Sequence, residues 1–132
     1  MASSHEDNIL FDVPNGVDPV DKGFLEQLGH GVLVCHGPGP KQLCPILSGE
    51  GCSLAEGASG IVFELDLDRP QHRAILKKYK ESLRSDLPIH VAVRPGQETV
   101  YPGLLQGLKV WTHTPVAGDL DALAAEVEAA AI

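Results

Sequence analysis

The sequence predicts one α/β domain: a parallel five-stranded sheet, doubly wound by helices so that the whole forms three layers. Two observations predict it. Short apolar segments alternate five times with stretches of helical periodicity, joined by short connections. The most apolar of them run almost without a polar break, as strands buried on both faces do. This non-hairpin pattern leaves right-handed crossovers between parallel strands as the way to connect them.

The first strand is Asn8–Asp12, which closes on an acid. Asp18-Pro19-Val20-Asp21 opens the first helix. Asp18 caps it, Pro19 takes the position whose N–H needs no partner, and Asp21 suits the positive end of the dipole. Val20, Phe24 and Leu28 are its expected buried stripe, and Gly29 ends it in a left-handed conformation. Gly31–Cys35 is the second strand, broken by His36-Gly37-Pro38-Gly39-Pro40. Between Lys41 and Ser59, Gly49, Gly51 and Gly57 argue for a short or broken helix. Gly60–Asp66 is the third strand. Arg69-Pro70 leads into a helix reaching about Ser85, with Ala74, Ile75, Tyr79 and Leu83 inward and the lysines outward. Pro88–Val93 is the fourth strand, stopped by Arg94-Pro95-Gly96. A short helix from Gln97 to Gln106 is interrupted at Pro102-Gly103, and Leu108–Thr112 is the fifth strand. Asp119 opens the last helix, where Leu120, Leu123, Ala124 and Val127 recur at helical spacing.

A chain of 132 residues supports one core, and 43% hydrophobic with 21% charged residues describes an ordinary globular protein. The expected organisation is a flexible N-terminus over residues 1–7 and a single domain over 8–132. No uninterrupted apolar run exceeds four residues, and Met1–Asp7 lacks the features of a signal peptide. The expected location is therefore the cytoplasm, with no membrane partner. Ten basic against eighteen acidic residues give a net charge of −8, which argues against nucleic acid as a partner. Six of the basic residues fall between Arg69 and Arg84, while Asp119, Asp121, Glu126 and Glu128 crowd the C-terminus. A solvated helix face or a charged seam with a partner both fit that split.

Two runs and one single residue carry a family resemblance. Asp66-Leu67-Asp68-Arg69-Pro70 resembles the stretch from phospho-accepting aspartate to proline in the receiver domains of bacterial two-component response regulators. Asp12 falls where that family has an acidic-pocket residue, and Gly107–Pro115 is similar to its fifth strand and Lys-Pro turn. The resemblance spans roughly residues 8 to 130. It implies the flavodoxin-like strand order 2-1-3-4-5, Asp66 as phospho-acceptor candidate, and a protein partner or homodimer met through a face bearing Trp111 and Tyr101. The chain also departs from the family. Thr114 precedes Pro115 in place of lysine, Arg94 stands where a small hydroxyl residue ends the fourth strand, and the acidic pair is reduced to Asp12. It therefore looks like a pseudo-receiver: a non-enzymatic regulatory or protein-binding module with a degenerate pocket.

The residues support this chemistry independently. An open parallel sheet binds ligands beyond its strand C-termini, where the strand order reverses. Asp12 and Asp66, with Asp68 just beyond, suit a weakly held magnesium ion, and no other cofactor is expected. Arg69 or Arg94 could offset the charge of a phosphorylated Asp66, with Thr114 in the same pocket. A phospho-accepting receiver using Asp66 with magnesium is thus one alternative. The plainer reading is a strand-to-helix loop with Asp68 as helix cap. A small metal or redox protein is another alternative, because Cys35, His36, Cys44 and Cys52 are zinc and iron–sulfur ligand types. Their spacing lacks the compact pairing of such sites, and buried thiols are the simpler account. No phosphate loop, dinucleotide fingerprint or catalytic triad is present. His90 reads as a structural side chain, and His113 lies near the crevice without an evident acid partner. Trp111 either anchors an interface or fills the core.

Overall fold

The apolar runs become a parallel sheet flanked on both faces by helices. In the computed structural model the described residues are 8–13, 19–35, 57–83, 87–113 and 116–130. The elements are β1 (Asn8–Asp12), α1 (Pro19–Gln27), β2 (Gly31–Cys35), β3 (Gly60–Phe63), α2 (Pro70–Ser82), β4 (Ile89–Ala92), α3 (Gln97–Val100), α4 (Pro102–Leu105), β5 (Lys109–Trp111) and α5 (Ala117–Ala130). The strands pair in the order β2-β1-β3-β4-β5, all parallel, as the receiver resemblance implies. Asp12 stands opposite both Cys35 and Phe63, and Ala92 opposite Trp111, so the strand ends share one edge.

Strand alternation divides the core. Leu10, Ile61, Phe63 and Val91 face α2 and meet Ile75, Leu76 and Tyr79. Ile9, Phe11, Val62 and Trp111 face the opposite layer and meet Leu25 of α1 and Leu120, Leu123 and Val127 of α5. Each such burial contributes about 1.5–3 kcal/mol. Gly60 is required by close packing: a Cβ there would lie 2.7 Å from Val127 Cγ2.

Several elements differ from expectation. In α1 the buried residue is Leu25, with Phe24 half-buried; Val20 is 77% exposed and Leu28 also faces solvent. The Val20–Phe24–Leu28 spacing drifts around the helix, and its middle, not its ends, reaches the sheet. Gly29, at φ +92°, ends the helix as expected. In α2, Ile75 and Tyr79 face inward with Leu76 and His72, while Ala74 and Leu83 are only half-buried. Pro102 separates α3 from α4 by starting the second helix, which leaves Tyr101 between them. The last helix begins at Ala117, before Asp119, whose carboxylate accepts the Val116 N–H at 3.0 Å. Its expected buried stripe is present in full.

Two histidines are buried beneath α5. His90 Nε2 donates to Glu126 at 2.6 Å and its ring meets Trp111 edge-on at 5.0 Å. His30, 3% exposed, lies 3.9 Å from a Glu128 oxygen. Among the described residues, no helix is long and apolar enough to cross a membrane. Residues 41–56 of the stretch where a helix is expected, together with Asp18, His36, Cys44, Cys52 and Thr114, lie outside the described residues.

Candidate functional site

A crevice of about 440 Å³ opens where β3, β4 and β5 end, lined by Glu64, Asp66, Arg94, Gln97, Thr112 and His113 among others. β3 stops at Phe63, three residues short of the expected end, because only the Glu64 N–H continues the ladder, donating to the Asp12 carbonyl at 2.8 Å. Glu64 is therefore the residue that leaves β3 at the crevice, and Asp66 sits in the loop beyond.

That loop is tied across the crevice. Asp66 Oδ1 accepts the Asp68 N–H at 3.0 Å, Gln97 Nε2 at 3.0 Å and Arg94 Nη2 at 3.2 Å. Gln97 is itself set by the Arg94 N–H, which donates to its Oε1 at 3.0 Å. Arg94 also pairs with Asp68, whose other oxygen accepts the Tyr101 hydroxyl at 2.9 Å. Arg73 completes the network by donating to the Leu67 carbonyl at 2.7 Å and to the Tyr101 oxygen at 3.3 Å, its guanidinium over the Tyr101 ring. His72 Nδ1 donates to the Asp66 carbonyl at 3.0 Å. The β3–α2 and β4–α3 loops are thus joined by charge-assisted bonds above the apolar cluster that Leu65, Leu67 and Val93 share. The Asp68 N–H, then Gln97, Arg94 and His72, hold the Asp66 carboxyl below the usual carboxylate range. Burial holds His72 below its ordinary value.

Asp12 has different surroundings. It is 1% exposed and shares the α2 side of the sheet with Leu10, where Tyr79 and Cys35 hydrogen-bond to its carboxyl. Burial pushes it up to about 7 against those two bonds, and Oδ2 has no partner among the described residues. Glu64, half-buried, is also raised, first by burial and then by Asp21.

The sequence therefore located Asp66, Asp68 and Arg94 in one place but did not foresee that they bind one another. Arg69 is exposed at the N-cap of α2, where its carbonyl accepts the His72 and Arg73 N–H groups. Asp68 makes no side-chain cap to that helix, because its oxygens are taken by Arg94 and Tyr101. His113 has the acid it was expected to lack, donating from Nε2 to Asp119 at 2.9 Å. Trp111 is 4% exposed inside the core, so the indole is not presented as an interface anchor. Tyr101 is half-buried, with its hydroxyl turned onto Asp68. Cys35, half-buried at the end of β2, bonds Asp12.

The donors for magnesium are not assembled among the described residues. No three His, Cys, Asp or Glu side chains converge as a metal site; Asp12 lies under Tyr79, and Asp66 is paired with Arg94.

The fold is similar to those of solved receiver domains and of a sensor protein. A response regulator receiver domain protein from Clostridium thermocellum superposes with a TM-score of 0.60 at 17% identity, covering 94% of this chain and 93% of that one. A sensor protein from Polaromonas sp. JS666 gives 0.59 at 16% identity, with 94% of each chain covered. A response regulator receiver domain from Rhodospirillum rubrum gives 0.51 at 15% identity, with 95% and 94% covered. No family model and no curated protein matches the sequence. The chain has the receiver fold.

Proposed function

We propose that this chain is a regulatory, protein-binding module in which the receiver-type crevice is held by an internal clamp instead of being switched by phosphorylation. One observation carries the reading: Asp66 Oδ1 accepts three donors from its own chain, one of them the Arg94 guanidinium. Attack on a phosphoryl group needs a carboxylate lone pair free to aim at phosphorus, and a cation to take up charge on the transferred oxygens. Among the described residues no bond reaches Asp66 Oδ2, but the nearby cation is already engaged by Asp66 and Asp68 together. The pocket would then serve as a fixed surface for a protein partner or a second copy of the chain, in the cytoplasm. Partial exposure of Asp66 (39%) is what favours the alternative of a phospho-acceptor assisted by magnesium.

Incubation with acetyl phosphate and magnesium, followed by intact mass measurement, separates the two. The clamp reading expects no stoichiometric adduct on the parent chain. An adduct on the parent that is absent from Asp66→Asn would establish a phospho-acceptor instead.

A further inference from the structure

A second cavity lies at the opposite end of the sheet, where the last turns of α2, the entry to β4, the α4–β5 turn and the end of α5 diverge. Its volume is about 500 Å³, somewhat more than that of the crevice and ample for a small ligand. Tyr79, Leu87, Ile89 and Leu108 supply apolar wall. Two lysines stand in the lining, and they are not equivalent. Lys80 is fixed in place, its Nζ donating to the Leu104 carbonyl at 2.7 Å and the Gly103 carbonyl at 3.4 Å. Lys109 is exposed and forms no ion pair among the described residues. The acid in the lining, Glu126, is drawn onto His90 at 2.6 Å. A chain of net charge −8 therefore surrounds this cavity with more cationic than anionic side chains.

We propose that this cavity binds a small amphipathic anion, with an aromatic or branched aliphatic body against the apolar wall and a carboxylate or sulfonate near Lys109 and Lys80. Apolar burial supplies the attraction, and the lysines select the charge and fix the orientation. The site is separate from the crevice and does not depend on how Asp66 is used.

The test is fluorescence titration of the full chain with 8-anilinonaphthalene-1-sulfonate, an aromatic sulfonate of suitable size, with each variant first checked for a cooperative melt. Ala129→Trp fills the cavity from an exposed helix position, and Lys109→Glu reverses the charge beside it. Lys77→Glu makes the same charge change on the exposed side of α2, outside the lining. The expected result is saturable binding that Ala129→Trp abolishes and Lys109→Glu weakens about tenfold, with Lys77→Glu within about twofold of the parent. Benzoate should displace the dye and benzyl alcohol should not. Equal weakening by both glutamate variants, full binding by Ala129→Trp, or failure of the dye to saturate would overturn the proposal.

Discussion

On the face covered by α2, the sheet buries Asp12 against Tyr79 and Cys35; on the face covered by α1 and α5, it buries His90 against Trp111, with the half-exposed Glu126 on its ring. Asp12 receives only neutral donors, so desolvation dominates and its carboxyl is pushed up to about 7. His90 receives a carboxylate whose own side chain is half in solvent, yet burial still holds the imidazole below its ordinary value. Lys109 adds to that depression, while Glu126 and Asp119 oppose it. In each case burial favours the neutral form. Because one group is an acid and the other a base, the same physics gives opposite pH dependence on the two faces.

The largest effect expected is common to both faces. Phe63→Ala on the α2 side and Trp111→Ala on the α5 side should each cost about 3–5 kcal/mol in a denaturant titration. A marked inequality would show that one layer relaxes around the gap. Next comes the acid. With a folded value of about 7 against an ordinary aspartate value of 3.8, the contribution of Asp12 is present in full below the lower value and lost as pH rises through the upper one. Stability should therefore fall by as much as ~4 kcal/mol across that window, and Asp12→Asn should flatten the slope. The base runs the other way. The contribution of His90 is present above the ordinary histidine value of 6.5 and lost as pH falls through its depressed folded value. Glu126→Gln removes the charge that favours imidazolium, so the acid-side loss should deepen by ~1 kcal/mol, with His90 followed by NMR titration. Smallest is Arg94→Ala: its guanidinium is 64% exposed, so melting should shift by less than about 1 kcal/mol. The Asp66 carboxyl should nevertheless titrate closer to the usual range in that variant.

What the sequence made legible was whatever repeats locally. The limits of β1 and β2, the buried stripe of α5 and the break at Pro102 all follow from periodicity or from a missing N–H. Contacts between separate loops carry no such signal. Asp68 reaches Tyr101 across 33 positions, and His90 reaches Glu126 across 36. No spacing rule links those residues before the strands are ordered. Glu64 was missed for a related reason: an apolar-looking run through Leu65 concealed that the ladder ends at Phe63. The face taken by Asp12 is readable, since alternation with Leu10 puts it on the α2 side, whereas its place at the strand end points to the crevice.

The strand order also bears on how the chain assembles as it is made. β2, β1 and β3, one whole side of the sheet, are encoded within the first 63 residues. After that the sheet grows in one direction only, β4 adding to β3 and β5 to β4. No strand made later has to insert between two already paired. From β3 onward the growing chain can therefore extend a single open edge in the order of synthesis, β4 docking on β3 and β5 on β4.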